Sequence, residues 1–198
     1  MTKPFLKWAG SKQSIATHVR HHLPDGRRLI EPFAGSAAIF LATRYEENWL
    51  NDVNEDLIRV FRALKQDGEA FVAYTESLFV PENNEENRYY DLRQEFNELQ
   101  AGMGELEGKD LRRRAALFVY LNRHCFNGLC RYNQDGGFNV PYGRYASPTC
   151  PSERMRAFGD QDQGARLTCK DFEEVMAEAR EGDVVYCDPP YVPISATS

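Results

Sequence analysis

The sequence predicts an α/β domain on a parallel sheet, interrupted by a largely helical insertion that closes with a β-hairpin. Three observations carry that prediction. The first fifty-odd residues show a strand–helix–strand pattern, a long acidic helical stretch follows, and strand–helix alternation returns after Pro151. With 198 residues, 42% hydrophobic and 27% charged, the composition is globular and excludes a disordered or collagen-like chain. No run approaches the roughly 18 apolar residues of a membrane span. The start, MTKPFLKWAG, lacks the apolar core of an export signal. The odd set Cys125, Cys130, Cys150, Cys169 and Cys187 has neither CxxC pairs nor zinc spacing. Reduced thiols in a cytoplasm, with no metal, are therefore expected.

The elements follow in order. Residues 13–22 read as a helix stopped by Pro24, and 28–33 as a short buried strand. An alanine-rich helix over 36–44 leads to a second strand over 48–51, closing on Asp52. From 54 to 123 the pattern is helical and acidic, with helices over 87–99 and 110–124 separated at Gly102 and Gly104. Residues 126–145 are rich in Asn, Gly, aromatics and Arg, and Asp135-Gly136-Gly137 signals a hairpin turn. A strand over 166–169, a helix over 171–180 and an apolar strand over 183–187 complete the series. The insertion thus runs over 55–148.

Charge is unevenly spread. The net −6 is made of +5 over residues 1–45, −11 over 46–110, +5 over 111–145 and −5 over 146–198. Solvated helix faces explain this as well as a phosphate-binding footprint does.

The apolar strand over 183–187 runs into Asp188-Pro189-Pro190-Tyr191. Open α/β sheets place ligands at such carboxyl ends. Two prolines carry no N–H, so neighbouring carbonyls are left to face a ligand. A carboxylate, a carbonyl and an aromatic ring within four residues suit a planar base with an exocyclic amine. Asp188 and the Pro189 carbonyl would accept the amine hydrogens while Tyr191 stacks. The same residues also suit a rigid turn ending a strand.

Asp188-Pro189-Pro190-Tyr191 after an apolar strand resembles the catalytic motif of amino-methyltransferases acting on nucleic-acid bases. The rest of the chain resembles the Dam-type, D12-class N6-adenine DNA methylases. In order, the matching segments are Phe5-Leu6-Lys7-Trp8-Ala9-Gly10-Ser11-Lys12, Glu31-Pro32-Phe33-Ala34-Gly35-Ser36 and Leu121-Asn122-Arg123. Phe126-Asn127-Gly128-Leu129-Cys130-Arg131-Tyr132-Asn133 and Phe138-Asn139-Val140-Pro141-Tyr142-Gly143-Arg144-Tyr145 follow.

The resemblance implies a Rossmann-like methyltransferase sheet over 1–54 and 149–198, with a target-recognition domain at 55–148. It implies S-adenosylmethionine as cofactor, held by Trp8, Ala9, Gly10, Lys12, Phe33, Gly35, Ser36, Asp52, Asp171, Phe172 and Asp188. Asp188, Pro189 and Tyr191 would be catalytic. The partner implied is double-stranded DNA, read at GATC. Arg131 would read guanine, Leu129 and Pro141 would touch thymine methyls, and Lys7 would read the outer base pair. Phe126 would take the place of the family's stacking wedge and Asn127 would lie near the base opposite the flipped adenine, while Asn133 and Arg144 would also contact the DNA. Arg112, Arg113 and Arg114 open a helix, the wrong end for its dipole, so an external phosphate is expected there. The family's second glycine is Ala37 here, expected in the first helical turn with negative φ. An N4-cytosine enzyme and a non-catalytic DNA-binding remnant are the rival readings. The family continues beyond this motif, so the strand over 183–187 is expected to expose an edge, leaving residues 1–198 alone poorly soluble and inactive.

Overall fold

The computed structural model describes residues 2–101, 108–161 and 164–190. Four strands form one parallel sheet: β1 (Arg28–Glu31), β2 (Glu47–Asn51), β3 (Arg166–Thr168) and β4 (Asp183–Val185), in the order β3-β2-β1-β4. Leu29 and Ile30 on β1 are fully buried on opposite faces, the mark of a strand covered on both sides. Leu29 packs with Ala16 of α1 (Ala16–His22) and Ile39 of α2 (Ala38–Ala42), whereas Ile30 packs with Trp49 and with Val175 of α7 (Phe172–Ala177). Among the described residues β4 pairs only with β1 and is an edge. The tail 192–198, expected to leave that edge bare, lies outside them.

Helix α3 (Glu55–Glu76) packs on α5 (Gly108–His124) and α6 (Ser152–Gln161), and α4 (Glu86–Ala101) packs on α5. Helix α6 was not singled out by the sequence pattern. Phe61 of α3 stacks on Phe158 of α6 at 4.6 Å, and Phe5 and Phe40 meet Phe158 at 5.4 and 5.6 Å. One apolar core therefore crosses the boundary drawn at residue 55. Gly102 and Gly104 lie outside the described residues.

The expected hairpin is present in a reduced form. Residues 126–145 run antiparallel through the isolated bridges Cys125–Tyr142 and Tyr132–Phe138, with Phe126 N donating to Pro141 O, Asn139 N to Arg131 O and Asn133 N to Gly137 O, but without a continuous strand ladder. Side chains of α4 take the backbone groups on its outer edge. Asn97 accepts from Phe138 N at 2.8 Å and donates to Phe138 O, while Tyr89 and Arg93 both donate to Val140 O. At the turn, Asn133 Oδ1 accepts from the N–H groups of Asp135 and Gly137.

Candidate functional site

The carboxyl ends of β1, β2 and β4, with the loop over residues 8–12, enclose a cavity of about 510 Å³, within the size range of small-molecule sites. Trp8, Ala9, Gly10, Lys12, Phe33, Gly35, Ser36, Asp52, Asp188 and Pro189 all line it. Two expected cofactor residues do not. Asp171 caps α7 by accepting from Glu173 N at 2.8 Å, and Phe172 reaches the cavity only through Phe33, ring to ring at 5.3 Å. Tyr191 lies outside the described residues.

Local bonding fixes the cavity walls. Asn51, at the end of β2, accepts from Thr168 and Lys170 N and donates to Pro32 O, tying three strand ends together. Asp52 then accepts from Gly35 N and Asn54 N, each at 2.9 Å. Burial raises its carboxyl pKa against those two bonds. Asn54, not Asp52, caps α3 by accepting from Leu57 N. Gly35 has φ of +49°, and a Cβ there would lie 3.0 Å from the Trp8 ring. Two separate constraints thus favour glycine. Ser11 and Ser36 hydroxyls meet at 2.7 Å and close the loop onto the helix entry.

Ala37 departs from expectation. It takes the left-handed conformation, φ 57° and ψ 33°, as the N-cap of α2. The chain reverses between β1 and α2 through a turn over residues 34–37 closed by Ala37 N donating to Ala34 O at 2.8 Å, with Gly35 inside it, and Ala37 follows at positive φ where α2 begins. An alanine so placed costs about 1–2 kcal/mol.

At the other end of the cavity, Lys12 Nζ lies 2.7 Å from Asp188 Oδ2 and donates to Gly10 O at 2.9 Å. Lys12, expected to meet a cofactor carboxylate, here faces the candidate catalytic carboxylate. Glu31 was not anticipated. It is 2% exposed and accepts from Phe40 N at 2.8 Å. Burial, reinforced by the charge of Asp188, pushes its pKa up to about 8, so a mainly neutral acid lines the cavity near pH 7. A glutamate closing the apolar run Leu29-Ile30 was the available signal.

Beside this cavity the second basic segment presents Phe126, Asn127, Leu129, Arg131, Asn133, Pro141 and Arg144 at the surface. Arg131 Nε donates to Asn139 Oδ1 at 2.8 Å. Asn127 and Arg144 hold positive φ of 54° and 55°, backbone strain of the kind that clusters at ligand sites. Asn122, buried on α5, joins the two halves of the surface. It accepts from Lys7 N at 2.8 Å and donates to Lys7 O and Gly128 O. Gly128 has φ of +65°, and a Cβ there would lie 2.3 Å from Lys7 Cδ. Lys7 places its ammonium 4.2 Å over the Tyr145 ring.

The arginine trio is a further correction, because two of its three charges are paired with carboxylates of the same chain. Arg114 is 1% exposed and binds Asp56 at 2.6 and 2.8 Å and Phe96 O at 2.6 Å. Arg113 grips Glu95 through two bonds, and Arg112 donates to Ala70 O and lies over Tyr74. Two other cations, Arg123 and Arg154, line a cleft of about 490 Å³ with Lys7 and Asn127. Arg123 Nε is buried without a hydrogen-bond partner, and burial together with Arg154 lowers its pKa. Such a cleft can take an anion.

A family model described as "D12 class N6 adenine-specific DNA methyltransferase" matches residues 8–198. A DNA adenine methylase of Serratia marcescens is 45% identical over 196 residues, 99% of this chain and 69% of its own length. DNA adenine methylases of Vibrio cholerae (strain O395) and Escherichia coli K12 are 42% and 44% identical over 99% of this chain, and 68% and 67% of their own lengths.

Proposed function

The chain belongs to the D12 class of N6 adenine-specific DNA methyltransferases, and on that premise we propose that it transfers a methyl group from S-adenosylmethionine to adenine N6 in duplex DNA at GATC. The observation that carries this reading is the opening of Asp52 and Asp188-Pro189, from different strand ends, into one cavity. The residues present fit the cofactor. Asp52 keeps lone pairs for ribose hydroxyls beyond its two backbone bonds, Trp8 and Phe33 offer apolar surface, and Lys12 offers a cation. Bound there, S-adenosylmethionine supplies an electrophilic methyl group.

The chain's own part is positioning. The adenine leaves the stack at a cost of a few kcal/mol, and Phe126, half exposed, is available to fill the space. Asp188 and the Pro189 carbonyl accept from the amine hydrogens, which turns the nitrogen lone pair toward the donor. Lys12 must then share or release Asp188. No group has to form a covalent bond to the base, so orientation and electrostatics carry the rate. Arg131 reads guanine O6 and N7, with Leu129 and Pro141 on thymine methyls. Lys7 reads the outer base pair, and Arg123 and Arg154 hold backbone phosphate. Residues 55–148 supply recognition, and 1–54 with 149–198 supply the chemistry. The proposed compartment is the cytoplasm, where five unpaired cysteines would stay reduced.

The test is incorporation of labelled methyl into duplexes with and without GATC, followed by nucleoside analysis. N6-methyladenine only in the GATC duplex is expected. N4-methylcytosine, or equal labelling of both duplexes, would overturn the reading.

A further inference from the structure

Residues 129–133 alternate strictly: Leu129, Arg131 and Asn133 are exposed, whereas Cys130 and Tyr132 turn inward. In extended backbone this alternation fixes which row faces outward, and a slip of one residue exchanges the rows. A sheet normally fixes such a register. Here the two arms are tied by the isolated bridges Cys125–Tyr142 and Tyr132–Phe138 and by a few backbone bonds, Asn139 N to Arg131 O, Asn133 N to Gly137 O and Phe126 N to Pro141 O, without a continuous ladder.

The inner row adds a tie from the hairpin to the body of the protein. Tyr132 OH donates to Asp56 Oδ2 at 2.8 Å, and Cys130 Sγ accepts from Asn54 Nδ2 at 3.4 Å. Asp56 is itself clamped by buried Arg114. Both anchors therefore sit at the start of α3, within four residues of Asp52 in the cavity wall. Burial and the Asp56 charge hold the Tyr132 phenol well above its ordinary pKa, which keeps it a donor.

We propose that Tyr132, assisted by Cys130, is a positioning residue for sequence reading: it locks the register that presents Arg131 to the DNA from the same helix start that borders the cofactor wall. This rests on the reading of Arg131 given above. A merely structural tyrosine would affect melting and overall affinity, but not the energy of one base contact.

The experiment uses the full chain with sinefungin, a non-reacting cofactor analogue. It measures by anisotropy the affinity for a GATC duplex and for one with 7-deazaguanine, which lacks N7. The wild type should lose about tenfold on the modified duplex, and Arg131→Ala should lose almost nothing further. Tyr132→Phe should shrink the penalty to threefold or less, Cys130→Ala should shrink it in the same direction, and the Arg131→Ala, Tyr132→Phe double variant should match Arg131→Ala. An undiminished penalty in both Tyr132→Phe and Cys130→Ala would overturn the register lock. A full penalty retained by Arg131→Ala would instead remove Arg131 as the reader, and the proposal with it.

Discussion

Replacing Arg114 with alanine tests most sharply whether its charge serves the interior or the DNA. The side chain is 1% exposed and makes three bonds of 2.6–2.8 Å to Asp56 and Phe96 O, with its guanidinium 4.0 Å over the Phe96 ring. Breaking a buried ion pair typically costs about 3–5 kcal/mol, because the surviving charge stays buried. Asp56 would keep the Tyr132 hydroxyl at 2.8 Å and Arg59 at 3.1 Å, which places the loss near the lower end, about 3 kcal/mol. At about 2–4 °C per kcal/mol for a domain of this size, Tm should fall by roughly 6–12 °C. Arg113→Ala should cost under about 1 kcal/mol, since its partner Glu95 is 39% exposed. Melting of both variants is followed by circular dichroism, alongside affinity for a GATC-free duplex across a salt series. The salt slope of Arg114→Ala should equal that of the wild type. A wild-type Tm with a slope reduced by about 0.9, one phosphate contact, would refute the internal assignment.

Asp188→Ala should abolish methyl transfer while leaving duplex affinity within a few fold; wild-type turnover in a labelled-methyl assay would sink its role. Glu31 has a raised folded pKa, so the native state keeps a proton that the unfolded chain has released between its ordinary range and about pH 8. Stability should therefore fall as pH rises through that window, by up to about 1.4 kcal/mol per unit, and Glu31→Gln should flatten the curve in denaturant titrations. For Ala37→Gly, relief of about 1–2 kcal/mol of backbone strain is offset by about 0.4–1 kcal/mol of added chain entropy and by a lost buried methyl of about 0.8 kcal/mol. Its Tm should barely move, whereas Ala37→Val should lower it clearly.

The parallel sheet and the cavity residues were legible because their signals are local: an apolar strand, a motif at its carboxyl end, a helix after it. Asp52 and Asp188 needed only those rules. The errors share a different cause. Nothing near Arg112–Arg114 in sequence indicates that Asp56 and Glu95, 58 and 18 residues away, consume two of the three charges. The hairpin was legible from its turn chemistry, and its arms do bond to each other, but its docking was not: Asn97, Tyr89 and Arg93 of α4 hold its outer edge from far along the chain. Ala37 misled because helix propensity describes residues inside a helix, and this one caps it.

The Asn122 bridge bears on how such an enzyme could be re-targeted. A specificity cassette cut at residues 126 and 145 would leave behind Asn122, which clasps Lys7 to Gly128, and the α3 anchors of Cys130 and Tyr132. A graft of that segment alone would arrive without its moorings. Chimeras that exchange target preference should therefore carry Lys7, Asn54, Asp56, Arg114 and Asn122 together with the loop, so that the transplanted unit is a discontinuous set joined only in the folded chain.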